Sequence, residues 1–178
     1  AVKTFTRACN LARKGGGTIV ITNAYEMPKT VYEVEHPDAP FVITTKDATT
    51  DYGATGAKLI FAKALRYVMK GDTTFENITI EFENTLNVVA NYNHITFGEG
   101  VSTVNTGSGS EGVYVVGGYQ YNQDGVMSDA PKYDADSHIT IKSGTYWAVS
   151  GFSRGSSTEE YTGTSHIVVD GGTISTVY

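Results

Sequence analysis

The chain has 178 residues, 18% of them charged, and a formal net charge of −6, so it suits one ordinary domain with its own core. The acidic balance argues against nucleic-acid phosphate or an anionic membrane surface as the main partner, and no apolar run approaches the ~18 residues of a membrane-spanning helix. With 20 Gly and 12 Tyr, and Thr throughout, the composition is that of a β-rich protein with many tight turns rather than of a disordered chain.

In chain order, residues 1–16 read as a short amphipathic capping helix. Phe5, Cys9 and Ala12 fall at helical spacing, and Gly15, Gly16 and Gly17 stop it. Cys9 is the single cysteine. That excludes an internal disulfide and a cysteine-based zinc cluster, and the spacing makes Cys9 a buried structural thiol. Residues 17–178 read as short, β-branched strands bounded by Gly, Asn, Asp or Ser. Seven come first: Thr18–Ile21, Phe41–Thr44, Lys58–Phe61, Asn77–Phe82, Asn87–Ala90, His94–Phe97 and Val113–Val116. His138–Ile141, Tyr146–Val149, His166–Val169 and Ile174–Val177 follow. No later segment has helical periodicity.

Comparable strands recur in steps of about 20 residues, the signature of a solenoid whose coils stack one on another. From Ile95 to Ile139 the step is 44 residues, which reads as two coils. The expected fold class is therefore all-β, a parallel β-helix with an N-terminal capping helix, forming a single domain over residues 1–178.

A phrase of the form His-Ile-x-apolar-x-x-Gly occurs at His94–Gly100, His138–Gly144 and His166–Gly172, and Asn77-Ile78-Thr79-Ile80 fits the same frame. Its apolar positions alternate and are expected to stack in the core, with Ile139 against Ile167. The Gly permits a sharp corner, and the His or Asn is expected to hydrogen-bond the corner backbone. On a two-coil separation, His94 and His138 stand roughly 9–10 Å apart at ~4.8 Å per coil, too far for a shared zinc. No metal site is expected from the histidines. Asn77-Ile78-Thr79 also matches the N-glycosylation pattern, and it reads as a corner Asn.

Aligning Gly144–Val149 with Gly172–Val177 sets Tyr146 opposite Ile174 and Trp147 opposite Ser175, so Tyr146 should face inward and Trp147 outward. An exposed Trp on a rigid sheet suits stacking on a sugar ring. Two insertions, Gly117–Asp136 and Gly151–Gly163, carry further aromatic and charged residues, and long solenoid insertions often build the binding face. The expected ligand-binding set is Trp147, Tyr119, Tyr121, Tyr133, Phe152, Arg154 and Tyr161. No catalytic residue is assigned. Asp124, Asp129, Asp134 and Asp136 are weak calcium candidates, and no other cofactor is expected.

The opening Phe5–Thr22, FTRACNLARKGGGTIVIT, resembles the start of a right-handed parallel β-helix of the pectate-lyase-like superfamily. There a short helix caps the first coil, and a Gly-Gly-Gly-Thr-apolar phrase begins the first strand. Gly56–Phe82, VVGGYQ, DSHITIKSG and TGTSHIVVDGGTIS are similar to coils of large secreted or surface proteins of gut and rumen Firmicutes. The resemblance implies an extracellular or cell-surface bacterial module, an excerpt of a larger chain beside other domains, with polysaccharide as partner. It implies neither nucleic-acid binding nor membrane insertion. Pectate lyases carry a calcium-binding carboxylate set and a catalytic Arg or Lys, and that constellation is not found here. The expected function is non-catalytic polysaccharide binding through an aromatic-lined face. A polysaccharide lyase or hydrolase, with Arg154 or Lys132 as base, and a structural stalk or adhesin domain are the alternatives.

Overall fold

A computed structural model describes residues 2–12, 15–28, 31–34, 40–62, 66–69, 71–109, 111–118, 133–152 and 160–178. Helix α1 spans Phe5–Ala12, shorter than the expected 1–16. Thr4 Oγ1 accepts the Arg7 amide at 3.2 Å and caps its first turn. The helix buries Phe5 and Cys9. Burial pushes the Cys9 thiol up to about 12, which leaves it protonated and inert.

The rest is all-β. The first pass of the chain makes β1 (Gly17–Val20), β2 (Ala24–Glu26) and β3 (Val31–Val34). The second makes β4 (Phe41–Thr44), β5 (Lys58–Phe61) and β6 (Arg66–Met69). The third makes β7 (Thr73–Glu76), β8 (Ile78–Phe82) and β9 (Leu86–Val89), and the fourth β10 (His94–Phe97), β11 (Val101–Asn105) and β12 (Val113–Val116). Then come β13 (Ser137–Ile141) with β14 (Thr145–Ser150), and β15 (Ser165–Val169) with β16 (Thr173–Val177).

These strands form three sheets, and every pairing between them is parallel. The first is ordered β1-β4-β7-β10-β13-β15, the second β2-β5-β8-β11 and the third β3-β6-β9-β12-β14-β16. The chain thus visits first, second and third sheet in fixed order four times, then alternates between first and third. This arrangement is consistent with a β-helix.

Because each strand pairs with its counterpart one pass away, like residues stack. Ile19, Ile43, Phe75, Phe97 and Ile141 follow one another in register across the first sheet, and all five are buried. Tyr67, Val88, Val115 and Val149 do the same in the third. An aromatic chain runs through the core from helix to last passes. Phe5, Tyr67, Phe75, Phe97 and Tyr146 touch in succession, with centroid separations of 6.4, 5.8, 5.4 and 4.9 Å. Ile139 is buried and pairs with Ile167, which is half-buried because β15 is the outermost strand of its sheet.

The corner glycines do what the phrase requires. Gly100, Gly144 and Gly172 have φ of 69°, 94° and 76°, left-handed values that cost a side chain dearly. Two expectations need correction. The 44-residue step from Ile95 to Ile139 is one pass, since β10 pairs directly with β13; the long insertion sits inside that pass. Asn77 is not a counterpart of the histidines. It lies at φ 45° in the turn between β7 and β8, and Ile78 opens a strand of the second sheet. The residue one pass before His94 is Asp72, whose Oδ1 accepts the His94 amide at 2.8 Å. Among the described residues, no helix is long and apolar enough to cross a membrane.

Candidate functional site

Alternation along β14 breaks once, and the break builds the first candidate surface. Tyr146 and Val149 both lie in the core, so two residues rather than one separate them. Trp147 is left on the outer face, 42% exposed. On the neighbouring pass Gly112, at φ 129°, lies directly beside it. A Cβ there would stand 3.1 Å from the Trp147 Cβ. A glycine is thus what lets the indole lie against the sheet. Its Nε1 donates to the Tyr114 hydroxyl at 2.8 Å, which fixes the ring's direction.

Tyr114 belongs to an outward row. Arg66, Asn87, Tyr114 and Ala148 are consecutive register partners on β6, β9, β12 and β14. At ~4.8 Å per strand the row runs roughly 14 Å, the reach of an oligosaccharide rather than of a single ring. Its half-buried members are Arg66 and Tyr114, which set a guanidinium beside the Tyr114 and Trp147 rings, whereas Asn87 and Ala148 are buried. Val68, Val89 and Val116 form the next outward row, and they pack together as a separate buried cluster. Arg66, Asn87 and Tyr114 were missed from the sequence. The signal was present in RYVM, LNVV and VYVV, each with one polar or aromatic residue at the outward position. It becomes legible only once these three strands are aligned.

The insertion residues fall elsewhere. Tyr133 and Tyr161 rings lie 5.1 Å apart, and Phe152 stacks on Tyr161 at 5.0 Å. The two insertions therefore do meet, but these rings pack on one another. Phe152 lies in the bend two residues past the end of β14, whereas Trp147 lies near that strand's start. Among the described residues, no ring contact joins Trp147 to this trio. Tyr119, Tyr121 and Arg154 lie outside the described residues, as do the calcium candidates Asp124 and Asp129 and the alternative base Lys132. Asp134 and Asp136 are described and exposed.

A second cluster overturns the arithmetic applied to the histidines. His94, His138 and His166 are direct register partners on three adjacent strands. Their rings stack outside the first sheet, with centroids 4.1 Å apart for His94 and His138 and 4.6 Å for His138 and His166. The expected 9–10 Å is replaced by one strand spacing. Nor do the side chains serve the corners: among the described residues, none of the three imidazoles hydrogen-bonds a backbone group. Partial burial depresses the His138 pKa, and the neighbouring His94 and His166 charges depress it further, against the opposing pull of Asp136 and Asp72. Asp136 stands beside this column. One ligand atom each from Asp136, His138 and His166 lie within 4.8 Å of one another.

Compared with known proteins, the chain matches no family model, no curated protein and no solved structure.

Proposed function

We propose that the three sheets close into a right-handed parallel β-helix of the pectate-lyase-like kind, and that the molecule is a non-catalytic, extracellular polysaccharide-binding module. The fixed order in which the chain visits the sheets supports the helix, and the strong right-handed preference of parallel crossovers supports its hand. The observation that carries the binding reading is Trp147. A large ring exposed on a rigid sheet and oriented by Tyr114 presents a flat apolar face, which suits the C–H face of a pyranose. Arg66 and the Tyr114 hydroxyl in the adjoining row supply polar groups for sugar hydroxyls. Polymer runs along the stacking direction of the strands, across β6 to β14.

A glycan array read in parallel with a product assay tests this. Retention of plant-wall or other polysaccharide, with no new chain ends, is the expected result. New reducing ends or unsaturated products would replace it with a lyase or hydrolase. No retention of any glycan would leave a stalk or adhesin domain.

A further inference from the structure

We infer that Asp136, His138 and His166 form a binding site for one divalent transition-metal cation of the zinc, copper or nickel class, separate from the proposed glycan face. The register brings the ligands together. His138 and His166 are Cα partners on adjacent parallel strands, and their rings are nearly parallel, at 5°. Stacked at 4.6 Å between centroids, the two imidazoles stand one strand spacing apart, and rotation about their side-chain bonds is what turns a nitrogen of each toward a shared ion. Asp136 is two residues before His138, so in an extended chain its side chain leaves on the same face.

The distances are close to what a cation needs. Metal–nitrogen and metal–oxygen bonds near 2.0–2.2 Å place ligand atoms about 3.3 Å apart around a tetrahedral ion. Here all three lie within 4.8 Å. Asp136 and His166 are exposed and His138 is half-buried, so small side-chain rotations close the gap without moving the backbone. The carboxylate is already held in place: Asp136 Oδ1 accepts the Thr164 amide at 2.7 Å. That bond ties it to the turn entering β15, the kind of support that orients ligating carboxylates. Three protein ligands leave the remaining position to water.

The donor set chooses the cation. Two imidazoles with one carboxylate suit zinc, copper and nickel, whereas calcium and magnesium take oxygen. Calcium, the cation the loop acids invited, is thus the wrong ion for this cluster. His94 stacks on His138 from the far side, and its position in the column is filled next by Asp72 rather than by a further imidazole. It lies outside the ligand set.

Calorimetric titration of the chelator-treated chain with zinc ion, repeated with copper(II), tests the assignment. One equivalent should bind, and the melting temperature should rise with saturation. His138→Ala and His166→Ala should each weaken binding by more than about tenfold, Asp136→Asn by about tenfold, and His94→Ala by no more than about twofold. The metal-free melting temperatures of the variants report whether they fold. For any that does not, zinc-induced shifts of the His138 and His166 imidazole signals in the unaltered chain give the same answer. Absence of saturable binding, binding that survives both histidine substitutions, or equal loss in His94→Ala would each overturn the site.

Discussion

Replacing Phe97 with alanine should cost about 3–5 kcal/mol, the range for deleting a large buried aromatic. In a chain of this size that lowers the melting temperature by on the order of 10 °C. Phe97 is fully buried and sits where the core is least able to collapse. It stacks on Phe75 at 5.4 Å, lies 4.9 Å from Tyr146, and is in register with Phe75 and Ile141 on the strands either side. Each of those neighbours is held by its own strand pairing, so the vacated volume stays largely empty. Thermal melts of the variant and the parent check it. A parent-like melting temperature would break the in-register stack on which the placement of every outward residue depends.

Replacing Trp147 with alanine should weaken polysaccharide binding by ~1–3 kcal/mol, roughly 5- to 150-fold in affinity. Stability should fall far less. The ring is exposed, and what folding loses is one solvent-accessible hydrogen bond to Tyr114 and some contact with the sheet, worth about 1 kcal/mol. Tyr114→Phe separates the parts of this effect. It keeps the second ring and removes the hydroxyl that orients the indole, so its affinity should fall between parent and Trp147→Ala. Parallel affinity and melting measurements on the three proteins check this. A large drop in melting temperature with affinity intact would make Trp147 a structural residue.

Much of the fold was legible because the phrase around His138 and His166 repeats almost word for word. It aligned two passes correctly and set Tyr146 inward and Trp147 outward, as the structure has them. What escaped were five strands, β2, β3, β6, β7 and β11. Segments such as Ala24–Glu26, Thr73–Glu76 and Val101–Asn105 are short and rich in polar residues. Parallel pairing, on both sides for Thr73–Glu76 and on one side for Ala24–Glu26 and Val101–Asn105, holds them in place more than any apolar alternation of their own. Without them the third sheet could not be seen whole, and Arg66, Asn87 and Tyr114 stayed scattered along the chain.

The histidine error has a different cause. Chain length is a poor measure of distance along the stack, because the entropy of closing a loop rises only slowly with its length. An insertion of some 20 residues therefore leaves the register of β10 and β13 untouched. Sequence separation counts residues, whereas stacking counts passes, and between Phe97 and Ser137 the two part company.

The claim that polysaccharide lies across Trp147 has a direct optical test, because the chain contains a single tryptophan. Its emission reports on that one face and on nothing else in the molecule. The measurement is a titration of the chain with a polysaccharide that retains it, following tryptophan emission and its quenching by acrylamide. Stacking of a sugar ring on the indole should shift the emission to shorter wavelength and protect it from quencher, both saturating with the binding isotherm. Emission and quenching that stay unchanged while the chain is demonstrably bound would contradict the account and place the polymer elsewhere.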